Sequence, residues 1–186
     1  MIVEDKMAID MLRAVNRSIA SSNDLVEIAM SMTQLLVGIL GIKGCSIFAF
    51  NPESQELETI GSFGLSIRYL NKGPLLVKKS LYPQLKDAPI LISDVTTSDQ
   101  LQYPEDARRE GIQSIVSIPI RLNGRDIGAL RLYHFETWTP AARDIDFMEL
   151  VADHIGLAMT FKRLQQALHG IQNAMSQVHP MWMGTA

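Results

Sequence analysis

Cysteine is almost absent. Cys45 is the single thiol in 186 residues, which excludes an internal disulfide and any redox cycle that needs a resolving thiol. No apolar run reaches the about 18 residues of a transmembrane helix. The opening Met-Ile-Val-Glu-Asp-Lys places acids where a secretion signal has its apolar core, so none is expected and the cytoplasm is the expected compartment. A basic surplus is missing as well. The formal net charge is −3 and Lys78-Lys79 is the one short basic cluster, so neither nucleic acid nor a membrane is an expected partner. There is no glycine-rich phosphate cradle, no Ser/His/Asp arrangement and no His/Cys/Asp/Glu cluster at metal-ligand spacing. Kinase, nuclease, cyclase and DNA-binding signatures are lacking too.

Present instead is a composition that builds an ordinary core, 47% hydrophobic and 20% charged. The most telling segment runs from Ser114 to Tyr133. Two apolar runs flank Asn123-Gly124, the pair that accepts positive φ at both centres of a type I′ turn, and this predicts a long hairpin. Ile115, Val116, Ile118 and Ile120 break strict alternation, so both faces of these strands should be covered. Gly128, inside the second strand, suggests a close backbone approach.

Helices are expected at the two ends. The first covers much of residues 3–20 on the stripe Leu12, Val15 and Ile19. A second follows Asp24 and Glu27, which resemble a capping box, and carries Leu25, Ile28, Met32, Leu35, Leu36 and Ile39 before Gly41. Strands are expected at 45–50, 57–63 and, as a buried strand, 90–92. Short helical turns are expected after the Ser66 cap, at 80–85, and after Pro104 up to Gly111. Thr139 as N-cap and Pro140 at the first position should open the last helix, which Pro180 should end. That helix has two apolar stripes. Ile145, Met148, Ala152, Ile155 and Met159 form one; Leu150, His154, Leu157, Phe161, Leu164, Leu168, Ile171 and Met175 trace the other. One domain surface needs a single apolar face, so the second stripe predicts a dimer interface through Leu150, His154, Leu157, Phe161, Leu164, Leu168 and Ile171.

The order helix, two strands, short helices, strand, loop-helix, long hairpin and long helix resembles a GAF domain. The residues that carry the resemblance are Gly44-Cys-Ser-Ile-Phe48, Gly61-Ser-Phe-Gly-Leu65, Ile92-Ser-Asp-Val95 with Tyr103-Pro-Glu-Asp-Ala107, and Ser114 to Leu132 with Ser117-Ile-Pro-Ile120 and Ile127-Gly-Ala-Leu130. Thr139 to Leu164 is similar to the family's closing helix. The resemblance implies an α+β fold: an antiparallel sheet of five to six strands, terminal helices packed on one face, and short helices with loops over the other. It divides the chain into a helix at 1–21, the domain at 22–165 and a helical extension at 166–186. It also implies a sensory or regulatory module, although members bind cyclic nucleotides, bilins, haem, small metabolites or nothing.

Some members reduce free methionine sulfoxide with cysteines in the pocket loops, and bilin binders carry a cysteine over the pocket. Cys45 lies in the first strand, so it reads as a buried structural thiol; neither bilin attachment nor enzymatic activity is expected, and the identity of any cofactor is left open. Of the histidines His134, His154, His169 and His179, a haem through His134 or His154 is set aside because each stands alone. The Arg108 and Glu105 pair reads as a solvated face. A ligand, if bound, should lie against the hairpin beneath the Asp94–Gly111 segment. Ser117 and Arg131 bring polar groups to strands otherwise built for burial. Asp94, Ser98, Asp99 and Tyr103 supply donors and acceptors, and Phe63 and Tyr69 wall the other side. Asp94 can equally serve as a turn cap. The expected partners are a second copy of the chain, a small molecule and a downstream signalling protein; a ligand-free dimerisation domain is the alternative.

Overall fold

The structure, a computed structural model, describes residues 2–22, 24–79 and 88–178. Two helices open the chain, α1 (Ile2–Ser21) and α2 (Leu25–Leu40). Strands β1 (Gly44–Asn51) and β2 (Glu56–Phe63) form the first hairpin. Then come α3 (Ile67–Leu70), β3 (Leu75–Leu76), a 3-10 turn at Val77–Lys79, β4 (Ile90–Ile92) and α4 (Pro104–Arg109). The long hairpin is β5 (Ser114–Leu122) and β6 (Arg125–His134), and α5 (Ala142–Val178) closes the chain.

The six strands make one antiparallel sheet in the order β3-β2-β1-β6-β5-β4. The hairpin is therefore central, as its apolar character requires. Its turn has φ of 50° at Asn123 and 72° at Gly124, the positive pair of a type I′ connection. Gly128 sits opposite Ala49 in β1, and a Cβ there would collide with the Phe48 carbonyl oxygen. This close approach is what a residue without a side chain permits.

Side chains alternate between two differently covered faces. Cys45, Ile47, Ala49, Val116, Ile118, Ile120, Leu130 and Leu132 join Val15, Ile28, Met32, Leu36, Met148, Ile155 and Met159 in one buried cluster beneath α1, α2 and α5. The opposite face is roofed by α3, α4 and their loops, with smaller clusters around Tyr133 and around Phe48. About twenty such buried side chains, at roughly 1.5–3 kcal/mol each, supply the main drive to fold.

Several expectations are refined. Strand β4 was expected to be buried, but it is the sheet edge, with Ile92 covered and Leu91 40% exposed. Strand β3 pairs through two residues only, too short for any periodic signal. Helix α5 begins at Ala142, not at Thr139-Pro140; the Asp144 carboxylate reaches back to accept from the Ala141 N–H, which fixes the first turn there. At α2 the Asp24 carboxylate caps the Val26 N–H at 2.8 Å, but Glu27 does not return to the Asp24 N–H. It accepts from the Ser22 hydroxyl instead, and that hydroxyl accepts from Asp24 N. The expected turn at 80–85, His179 and the helix stop at Pro180 lie outside the described residues.

Helix α5 runs unbroken for 37 residues, about 55 Å at 1.5 Å per residue, so 165 and 166 belong to one continuous element. Its first stripe is buried against the sheet through Met159. Past Lys162, from Arg163 to Ser176, only Gln165 is even half-buried, so the last turns leave the body of the domain. The second stripe remains on the surface: Leu150 40%, Leu157 58%, Phe161 56%, Leu164 58%, Leu168 51% and Ile171 58% exposed. His154 stands among them, bonded through Nδ1 to the Leu150 carbonyl.

Candidate ligand site

The face opposite the terminal helices carries a polar row across its middle. Ser62, Ser46, Arg131 and Ser117 are cross-strand neighbours on β2, β1, β6 and β5, followed by Ile90 on β4. Ser46, Ser117 and Arg131 are all buried, the arginine to 5% exposure. The serine pair satisfies itself, Ser46 Oγ to Ser62 Oγ at 2.9 Å, with Ser62 also donating to the Cys45 carbonyl. The other two do not. Ser117 Oγ and the Nε and Nη2 atoms of Arg131 are buried without a hydrogen-bond partner, and Arg131 has no ion pair among the described residues. Its guanidinium lies 5.3 Å from the Phe48 ring centroid, a cation–π contact and no substitute for an acceptor.

The roof is built by local chemistry. Ser66 caps α3 by accepting from the Tyr69 N–H. Glu110, at the end of α4, accepts from Ser66 N at 2.9 Å and from Ser66 Oγ, and lies 3.7 Å from Lys43. Although burial opposes it, these bonds and the lysine hold the Glu110 carboxyl below its ordinary range. Thus clamped, α3 sets Tyr69 edge-to-face on Tyr133, centroids 5.9 Å apart. Burial pushes both phenols up, Tyr69 further raised by Tyr133 and each eased by nearby Arg131. The loop before α4 is stitched to β3: Gln102 donates to the Pro74 carbonyl and accepts from Leu76 N, and Tyr103 donates to the same carbonyl at 2.9 Å.

Between roof and sheet lie two small adjoining cavities. One, about 20 Å³, is walled by Tyr69, Lys72, Leu101, Tyr103, Ala107, Ile115 and Arg131. The other, about 160 Å³, is walled by Ser46, Phe48, Thr59, Tyr69, Lys72 and Tyr133. Lys72 borders both. Its Nζ donates to the Tyr69 carbonyl and sits 3.9 Å from the Tyr69 ring centroid. Burial first, and the Arg131 charge second, lower its pKa from 10.5 to about 8, with Asp106 and Glu110 opposing.

Of the residues expected at this site, the structure brings Tyr69, Tyr103 and Arg131 together, with Ser117 beside Arg131 in register. Four stand elsewhere. Phe63 pairs with Cys45, whose side chain belongs to the helix-side cluster; it therefore points away from the Ser46–Arg131 face and is 38% exposed. Asp94 accepts from Thr96 N, Thr96 Oγ1 and Gln113 Nε2, a turn cap whose carboxyl the threonine bonds hold below its ordinary range. Ser98 caps the Gln100 N–H, and Asp99 is exposed. Lys72, Ser46 and Phe48 line the cavities without having been expected there. Lys72 has no signal in its neighbours; the alternation of β1 would have put Ser46 and Phe48 on one face.

The remaining candidates have structural employment. Cys45 is fully buried in β1, where desolvation pushes its thiol far up and disfavours the thiolate. His134 accepts from Glu136 N and stacks on Phe135. Arg108 pairs with Glu105 at 2.5 Å on the exposed side of α4 and donates to the Thr96 carbonyl.

Comparison with known proteins agrees with this architecture. The GAF domain of a phosphoenolpyruvate-protein phosphotransferase from Coxiella burnetii superposes with a TM-score of 0.76 at 20% identity, covering 86% of this chain and 96% of that one. The equivalent Acinetobacter domain gives 0.74 at 14% identity, covering 87% and 98%. The free methionine-R-sulfoxide reductase of Neisseria meningitidis, solved with its substrate, gives 0.69 at 14% identity, covering 85% and 93%. No curated protein sequence matches the chain. The GAF domain family model matches residues 22–160, three quarters of the chain and every strand of the sheet, and this protein belongs to the GAF domain family.

Proposed function

We propose that this chain is a sensory or regulatory GAF module that binds a small molecule beneath the α3–α4 roof and signals as a homodimer through its helices. The observation that carries the reading is the pair of buried, unpartnered donors on Arg131, Nε and Nη2, beside enclosed space. A purely structural sheet face would be filled by apolar side chains, because an unsatisfied buried guanidinium costs several kcal/mol. The roof is made of turns and two short helices, the parts of a fold most able to move on binding. Strand β5 links that site to the signalling helix. Ser117 faces the cavity side, whereas Val116 and Ile118 on the same strand pack in the cluster that includes Met148 and Ile155 of α5. Occupancy would shift the roof and the sheet, and α5 would carry the shift to a partner protein in the cytoplasm.

Dimerisation rests on the exposed stripe of α5. A helix leaving its domain with Leu164, Leu168 and Ile171 in water is marginal alone and gains stability by pairing. A groove of about 430 Å³ between α1 and α5, lined by Ile19, Ala20, Leu157 and Phe161 among others, continues the apolar seam at the domain's edge. A second α5 packed in parallel, with α1 alongside, covers both. The rival reading, a dimerisation domain without ligand, is favoured by the modest cavity volumes. An enzyme of the sulfoxide-reductase kind is disfavoured by chemistry, since the single thiol is buried and protonated.

Native mass spectrometry of protein purified gently from its own host tests the reading. A dimer carrying a stoichiometric small molecule supports it. A dimer that is empty, and that shows no change in hydrogen exchange along residues 94–111 or α5 with host metabolite extract, leaves the structural reading.

A further inference from the structure

We infer that the molecule bound in this cavity is a small organic carboxylate, held by the Nε and Nη2 edge of Arg131 with Lys72 as a second cation. The inference rests on the sensory reading of the same cavity and narrows it to one ligand chemistry. In a guanidinium, Nε–H and Nη2–H project in parallel from one edge, and that fork matches two oxygens of a planar anion. These are the two atoms of Arg131 that lack a partner. Nearby carboxylates do not answer them. Glu110 is committed to Ser66 and Lys43, and no described carboxylate lies within ion-pair distance of Arg131 or Lys72.

Two cations with no described carboxylate in ion-pair distance, Asp106 and Glu110 acting only from further away, leave this spot short of negative charge. Each lowers the cost of charge on a guest and raises it on the other, which is the direction of the Lys72 shift. The remaining surroundings set size and shape. Arg131 borders only the smaller space, of about 20 Å³, which takes the head group, and Lys72 and Tyr69 border both spaces. The body extends into the larger space, where Tyr69, Tyr133 and Phe48 present ring surfaces and whose volume of about 160 Å³ is close to the roughly 150 Å³ that admits a benzene-sized guest. Ser117 Oγ, beside Arg131 in register, is also unpartnered but borders neither space. A planar two-oxygen head on a short apolar or aromatic body answers both cations and the ring-lined space. A nucleotide is too large for the space.

The test is thermal shift followed by calorimetry on full-length protein refolded from denaturant, so that any resident molecule is lost. The probes are acetate, lactate, succinate and benzoate, their neutral amides, and inorganic phosphate, each at 10 mM and constant ionic strength. The expected result is that at least one carboxylate raises Tm by 2 °C or more, as follows from occupancy well above Kd, while its amide does not. Arg131→Met should lose that response, about 100-fold in affinity, and Lys72→Gln about 10-fold. Circular dichroism checks the fold of each variant, and Lys72→Gln, being partly exposed, serves if Arg131→Met does not fold. Amides that bind as well as acids overturn the inference but leave a ligand-binding module. Phosphate binding with no carboxylate binding overturns it in the same way. Acids whose effect survives in both variants place the anion elsewhere and overturn it. Wild-type protein that responds to no probe overturns it too, and if native mass spectrometry also finds the host protein empty, the sensory reading falls with it.

Discussion

Replacing Arg131 with methionine should make the ligand-free protein more stable. The side chain is 5% exposed, with two donors buried and unpartnered. Each unsatisfied buried donor costs about 1–3 kcal/mol, more when charged. Methionine keeps a comparable unbranched stem and carries no hydrogen-bonding obligation. Lost with the guanidinium are its contact with the Phe48 ring, 5.3 Å away, about 0.5–2 kcal/mol, and its hydrogen bond to the Tyr133 side chain, about 0.5–1.5 kcal/mol. Repulsion from Lys72 is relieved at the same time. The balance is a gain of about 1–3 kcal/mol, in the range found when buried ionic groups give way to apolar ones of similar volume. For a chain of this size that is a Tm increase of about 3–10 °C. Urea titration followed by circular dichroism, on refolded and dialysed protein, measures it. The order should reverse with ligand present, because only the wild type then gains binding energy. A ligand-free Arg131→Met protein that loses more than about 1 kcal/mol refutes the reasoning, since Arg131 would then be held by contacts that stabilise the fold.

Leu164→Asp should abolish the proposed dimer, because a charge at a buried apolar position costs on the order of 3 kcal/mol or more; sedimentation at stated concentration reads this, and wild-type protein monomeric at tens of micromolar sinks the interface. Lys72 has its folded pKa lowered from 10.5 to about 8, so the unfolded chain binds the extra proton between those values and folding stability gains as pH rises through that window. The groups that face it are Tyr69, Tyr103, Asp106, Glu110 and Arg131. To isolate Lys72 from the tyrosines, the wild-type minus Lys72→Gln difference in stability should be followed from pH 8 to 10; it should grow with pH, and a flat difference refutes the shift. Cys45, buried and protonated, should react with a thiol reagent only after unfolding, and Cys45→Ser should leave function intact at a cost of about 1–3 kcal/mol for the hydroxyl; rapid labelling of native protein contradicts this.

What could be read from the sequence was whatever local chemistry decides. The Asn123-Gly124 turn, the Ser66 cap and Pro104 at the start of α4 each depend on a few adjacent residues, and each stands where its residues place it. Arg131 and Ser117 were legible for a related reason: a polar residue inside an apolar central strand has to answer for its burial. Asp94 was ambiguous because the same carboxylate that could greet a ligand also closes a turn on Thr96, and proximity in the chain favours the turn. Phe63 shows the limit of reading residue types without register. One residue along from Ser62, it must face the other side of β2, and only the pairing with Cys45 reveals which side holds the cavity. Lys72 was beyond reach because its placement depends on α3, which is fixed by Glu110, 44 residues away from the Ser66 it clamps. Helix α5 combines both cases. Its two stripes follow from spacing alone, yet which stripe meets the sheet, and where the helix leaves it at Lys162, depends on where β5 and β6 end. The sheet takes Met148, Ile155 and Met159, and so leaves Leu157, Phe161 and Leu164 exposed, the face on which the proposed dimer rests.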